Sequence, residues 1–157
     1  MTLEPGAPIP DVAVTLPDGS VRRLADATGR PLVVYFYPKD DTPGCTREAQ
    51  GFSEAMPAFE AAGVDILGIS KDPPAKHQKF AAKYALAVPL ASDVDDRVCE
   101  AFGAWVEKSM YGKQYMGIDR STFLFGADGR LVRAWRKVKV PGHVDEVLAA
   151  ANALPRG

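Results

Sequence analysis

The stretch that most constrains this chain is Leu32-Val33-Val34-Tyr35-Phe36-Tyr37, an unbroken apolar run followed by Pro38-Lys39-Asp40-Asp41-Thr42-Pro43-Gly44-Cys45. A run without polar alternation fits a central strand buried on both faces. Beyond it, Ala49, Phe52, Met56 and Phe59 recur at helical spacing, which predicts an amphipathic helix. Cys45 therefore falls where a buried strand hands over to a helix N-terminus. Unpaired amide N–H groups and the positive end of the helix dipole favour a thiolate at such a place. A buried small hydrophobe is the commoner fate of a free cysteine, but a Pro/Gly turn at a helix start is polar and accessible. The segment thus presents a nucleophile.

The rest of the chain bounds what that nucleophile serves. At 157 residues and 46% hydrophobic, residues 1–157 are expected to form one domain with a sizeable core. A net charge of −1 offers no field for nucleic acid or an anionic membrane. The apolar stretches fall well short of the roughly 20 residues that span a bilayer. The start, Met1-Thr2-Leu3-Glu4-Pro5-Gly6, lacks the pattern of a signal peptide, so a cytoplasmic location is the expectation. Two cysteines do not make the dense framework of a small secreted domain.

Val12, Val14 and Leu16 alternate up to Pro17-Asp18-Gly19-Ser20, and Val21 to Leu24 return, which predicts an N-terminal β-hairpin. Pro57 interrupts the first helical pattern and predicts a kink or a break near residues 53–56. Residues 64–69 read as a second buried strand and 73–84 as a second helix. Ser92-Asp93 is expected to cap a third helix with Val94, Val98, Ala101 and Phe102 on its buried face. Residues 122–125 and 131–135 form a further hairpin pattern around Gly126-Ala127-Asp128-Gly129, and 144–151 a closing helix. That order predicts an α/β, thioredoxin-like fold: a central mixed β-sheet flanked by helices. Residues 105–120 give no clear element and read as a functional loop or partner surface.

Pro38-x-x-x-Thr42-x-x-Cys45, continued by Thr46-x-Glu48-Ala49, resembles the peroxidatic motif of peroxiredoxins, specifically the bacterioferritin comigratory protein or peroxiredoxin Q family. The likeness runs on through Gly68-Ile69-Ser70-x-Asp72, Pro89-Leu90-x-Ser92-Asp93, Tyr111-Gly112-Lys113 and Gly117-Ile118-x-Arg120-Ser121-Thr122-Phe123. It implies a thiol peroxidase in which Cys45 attacks a hydroperoxide and becomes a sulfenic acid. Thr42 and the Cys45 N–H would hold the peroxide oxygens, Arg120 would stabilise the thiolate and the polarised O–O bond, and Pro38 would shape the pocket and shield the sulfur. Glu48 would brace the loop or an arginine. Arg47, a rival cation, reads as solvent-facing or ion-paired. No cofactor is implied, and a monomer is expected.

Many members of that family carry a resolving cysteine five residues after the first, where this chain has Gln50. Cys99 is the other thiol, a resolving or a structural one, and the partly buried structural reading is preferred. A one-cysteine cycle follows, with thioredoxin, glutaredoxin or glutathione as an external donor. Cys99 as resolver, and a peroxide sensor or holdase using Cys45 as a switch, stay open as alternatives. Thiol–disulfide exchange would need Cys-x-x-Cys, and position 48 is Glu48. His77, beside Lys76, Gln78 and Lys79, reads as an exposed helix residue, and His143 as a helix N-terminal one. No metal spacing is present. Trp105 and Trp135 read as packing residues.

Overall fold

The computed structural model describes residues 3–27, 29–95 and 97–154. In chain order the elements are β1 (Ala13–Thr15), β2 (Val21–Arg23), a 3-10 turn (Leu24–Asp26), β3 (Leu32–Phe36), α1 (Pro43–Ala61), β4 (Asp65–Ser70), α2 (Pro74–Tyr84) and β5 (Leu90–Ser92). Then follow α3 (Arg97–Ala101), β6 (Trp105–Met110), β7 (Lys113–Ile118), β8 (Ser121–Phe125), β9 (Leu131–Trp135) and α4 (His143–Asn152).

Seven strands make one sheet in the order β2-β1-β5-β4-β3-β8-β9. β3 pairs parallel with β4 and antiparallel with β8, so the sheet is mixed as the element order predicts. Every residue of β3 is buried, and alternation along it divides the interior in two. Val34 and Phe36 point to one core with Ile69, Phe123, Phe125, Val98 and Cys99 of the short α3, and Phe102 just after it. Val33, Tyr35 and Tyr37 point to the other, with Cys45 and Phe52 of α1, Phe80 of α2 and Val147 of α4. Each fully buried Phe on these faces contributes about 1.5–3 kcal/mol relative to exposure. The two cysteines therefore pack on opposite faces of the sheet.

Four local expectations change. α1 runs unbroken through Pro57; Phe52 and Phe59, both fully buried on either side of the proline, hold the two halves to the same core. α3 is shorter than the pattern suggested, because Asp93 reaches forward to accept the N–H groups of Val98 at 3.3 Å and Cys99 at 2.8 Å. Asp93 thus caps the second and third residues of a helix that starts later, and Val94 lies outside it, 64% exposed. Asp96, inside the expected helix, lies outside the described residues.

The third change is that residues 105–118 are no loop: β6 and β7 form a two-stranded antiparallel ribbon apart from the main sheet. Its turn, Tyr111 and Gly112, has φ of 53° and 77°, the left-handed pair that a two-residue hairpin of matching twist requires. The fourth is His77, which is fully buried rather than exposed. No helix among the described residues is long and apolar enough to cross a membrane.

Candidate active site

β3 ends at Phe36, and after the turn of residues 38–42 the chain enters α1 with Thr42 as N-cap, Pro43 in the first position and Cys45 in the third. Proline suits that first position because its missing N–H would have no helical partner. Thr42 makes no side-chain cap bond. Its hydroxyl instead donates to the Lys39 carbonyl at 2.8 Å, which leaves the oxygen's lone pairs free to accept. The first intrahelical bond runs from the Thr46 N–H to the Thr42 carbonyl. The amides of Gly44 and Cys45 precede it and point out of the helix end.

Cys45 is 1% exposed rather than accessible as its Pro/Gly turn suggested, because it packs in the same core cluster as Tyr35, Ala49 and Phe52; Arg120 Nη2 donates to its Sγ at 3.3 Å. Arg120 comes from the short link between β7 and β8, where its carbonyl accepts the Val138 N–H and fixes the backbone. Gly44 makes room for it: a Cβ there would stand 3.3 Å from Nη2. The other guanidinium nitrogen, Nη1, donates to Glu48 Oε1 at 2.7 Å. Glu48 is fully buried, and burial pushes its carboxyl up to about 7 against the pull of Arg120. Burial works against the Arg120 charge too, but Glu48 and Cys45 outweigh it and hold the guanidinium above its ordinary value. The result is a cation fixed beside a sulfur at a helix N-terminus, with the Thr42 hydroxyl on the residue that caps that helix.

The expected site residues distribute as follows. Thr42, Cys45, Glu48 and Arg120 lie at the α1 N-terminus and the strand link above it. Pro38 opens the turn and is exposed, as is Arg47. Cys99 is fully buried in the other core. Burial first, and then Asp93, hold its thiol far above the ordinary value, so it is a neutral and enclosed group.

A set of polar residues that the sequence reading missed underlies the site. Tyr37 O–H donates to Asp40 Oδ1 at 2.5 Å, and Asp40 Oδ2 shares a 2.6 Å hydrogen bond with His77 Nδ1. The Asp40 N–H donates to Asp72, which also accepts from Ser70 and pairs with Lys76. The 77/80/84 stripe of His77, Phe80 and Tyr84 on α2 was the available signal, since it shares one helix face with buried Phe80. His143, at the start of α4, is buried against Thr122, 2.7 Å from Nε2 to the hydroxyl, and burial lowers it to about 4.

The AhpC/TSA family profile matches residues 5–134, a span that holds Thr42, Cys45, Glu48 and Arg120. This chain belongs to that family. Within it, the peroxiredoxin is 51% identical to peroxiredoxin Bcp of Xanthomonas campestris over 143 residues, covering 91% of this chain and 89% of the relative. It is 45% identical to peroxiredoxin Bcp of Escherichia coli, covering 93% and 94%. A solved structure of the X. campestris bacterioferritin comigratory protein, concerned with its alkyl peroxide reduction activity and trapped intermediate and ligand complexes, superimposes with a TM-score of 0.89 at 50% identity over 96% of each chain. A cysteine-to-serine mutant of Xylella fastidiosa PrxQ gives 0.91 at 41% identity over 98% of each. This peroxiredoxin is of the bacterioferritin comigratory protein type, and has Gln50 five residues after Cys45.

Proposed function

We propose that this peroxiredoxin reduces hydrogen peroxide and organic hydroperoxides through Cys45, in a one-cysteine cycle completed by an external thiol. The observation that carries this reading is the 3.3 Å contact of Arg120 with Cys45 Sγ at the N-terminus of α1. A terminal peroxide oxygen approaching the sulfur meets the Thr42 oxygen as acceptor for its proton, and the Cys45 amide and Arg120 as donors. The thiolate attacks that oxygen in line, the S–O bond forms as O–O breaks, and the leaving alkoxide or hydroxide takes a proton from water. Cys45 is left as a sulfenic acid. Arg120 and the amides stabilise the charge as it moves along the S–O–O axis.

Resolution falls to a partner. Gln50 offers no thiol, and Cys99 is separated from Cys45 by the sheet. A donor thiol condenses with the sulfenic acid to give a mixed disulfide and water; a second thiol then attacks the donor sulfur, releasing Cys45 as its thiolate and leaving the donor disulfide. Thioredoxin, glutaredoxin and glutathione all supply such thiols. The test is peroxide consumption by the purified chain with each donor in turn. Turnover that disappears in Cys45→Ser supports the reading; turnover retained in Cys45→Ser, or none with any donor, overturns it.

A further inference from the structure

Asp40 and Asp41 sit in the turn between β3 and α1, and both are held by α2. Asp40 is 2% exposed, and its carboxylate is bound by Tyr37 at 2.5 Å and His77 at 2.6 Å. Its N–H is bound by Asp72, which leads into α2. Asp41 adopts a left-handed φ of 59°, a conformation Asp tolerates better than most residues but still needs holding. Lys83 Nζ at 2.8 Å and Tyr84 O–H at 2.6 Å hold it. Immediately before this pair stands Lys39, whose carbonyl accepts the hydrogen bond of the Thr42 hydroxyl. The direction of the Lys39 carbonyl, set by the Asp40 and Asp41 anchors, therefore decides whether the Thr42 oxygen presents lone pairs or a proton.

We propose that His77 is a positioning residue for peroxide: by fixing Asp40 from α2 it keeps Thr42 an acceptor at the Cys45 site. The imidazole does this through Nδ1 alone. Nε2 is buried with no hydrogen-bond partner among the described residues. The inference rests on the peroxidase reading above, and its test separates the two.

Three forms are compared: wild type, His77→Asn, whose amide nitrogen reproduces the place of Nδ1, and His77→Gln, whose amide reproduces that of Nε2. Two rates are read on each, below the melting temperature: oxidation of Cys45 by hydrogen peroxide, and alkylation of Cys45 by iodoacetamide, followed by peptide mass. Alkylation needs the thiolate but no acceptor for a peroxide proton. His77→Gln is expected to lose about tenfold or more in peroxide oxidation, the scale of a small misplacement, with alkylation within about twofold of wild type, and His77→Asn to keep most of the peroxide rate. Should His77→Gln not fold, Tyr37→Phe, which removes the other bond to Asp40, makes the same comparison. An unchanged peroxide rate, or peroxide and alkylation rates that fall together, overturns the proposal. A wild type that peroxide does not oxidise overturns the peroxidase reading instead.

Discussion

Arg120 meets Glu48 at 2.7 Å with the carboxylate fully enclosed and the guanidinium 17% exposed. The same guanidinium reaches Cys45 Sγ through its second nitrogen at 3.3 Å. Glu48 thereby fixes the plane in which Arg120 addresses the sulfur, and a planar fork does this where a point charge would not.

Arg120→Ala is expected to slow oxidation of Cys45 by hydrogen peroxide by about 10²–10³-fold, the cost of one lost donor in a charge-stabilising site. Arg120→Lys is expected to recover part of it, since an ammonium cannot serve Glu48 and Cys45 in the same fork. Stopped-flow oxidation at neutral pH measures both; an Arg120→Ala rate equal to wild type removes the residue from the chemistry.

Glu48 gives a pH signature of stability. Its carboxyl titrates at about 7 in the fold against an ordinary 4.5, so between these values the folded state binds the extra proton. Its contribution is complete below about 4.5 and is lost as pH rises through about 7. His143 acts in the opposite sense: its value falls from 6.5 to about 4 through burial, so its contribution is lost as pH falls through that window. The wild-type curve is flattened by the two together. Denaturant unfolding of Glu48→Gln beside wild type isolates the first: the wild-type advantage is expected to shrink between pH 4.5 and 7.

Cys99→Ser is expected to keep turnover with an external donor, because Cys99 lies in the core on the far side of the sheet from Cys45. In the folded wild type Cys99 is expected to resist alkylation, since its buried thiol stays protonated. Donor-dependent turnover and a peptide map of alkylated sites check both statements.

Gly68 lies under Tyr35, where an added Cβ would stand 2.5 Å from the ring. Tyr35 in turn stacks on Phe52 of α1 at 4.5 Å between centroids. Gly68→Ala is therefore expected to destabilise the fold by about 1–3 kcal/mol through overpacking, read as a lowered midpoint in urea.

The strand-to-helix junction at Cys45 was legible because its signals are local: the apolar run of residues 32–37, then Pro43, Gly44 and a helical stripe. Arg120 came only through the family motif, since nothing near it in sequence announces a partner 72 residues away in Glu48. The β6–β7 ribbon was hidden because both its strands are largely exposed, which erases the alternation that marks a half-buried strand. Only the Tyr111-Gly112 turn remained as a cue. His77 was masked by Lys76, Gln78 and Lys79 around it, although its spacing to Phe80 and Tyr84 fits the inward stripe. Its bond to Asp40 spans 37 residues, and pairing at that distance leaves no periodic trace.

The most direct measurement is the intact mass of the chain after one equivalent of hydrogen peroxide without a donor, with fragmentation to place the change. A single oxygen on Cys45, removed on adding a thiol through a mixed disulfide, is the expected result. Loss of two hydrogens with Cys45 linked to Cys99, or an unmodified Cys45, would contradict it.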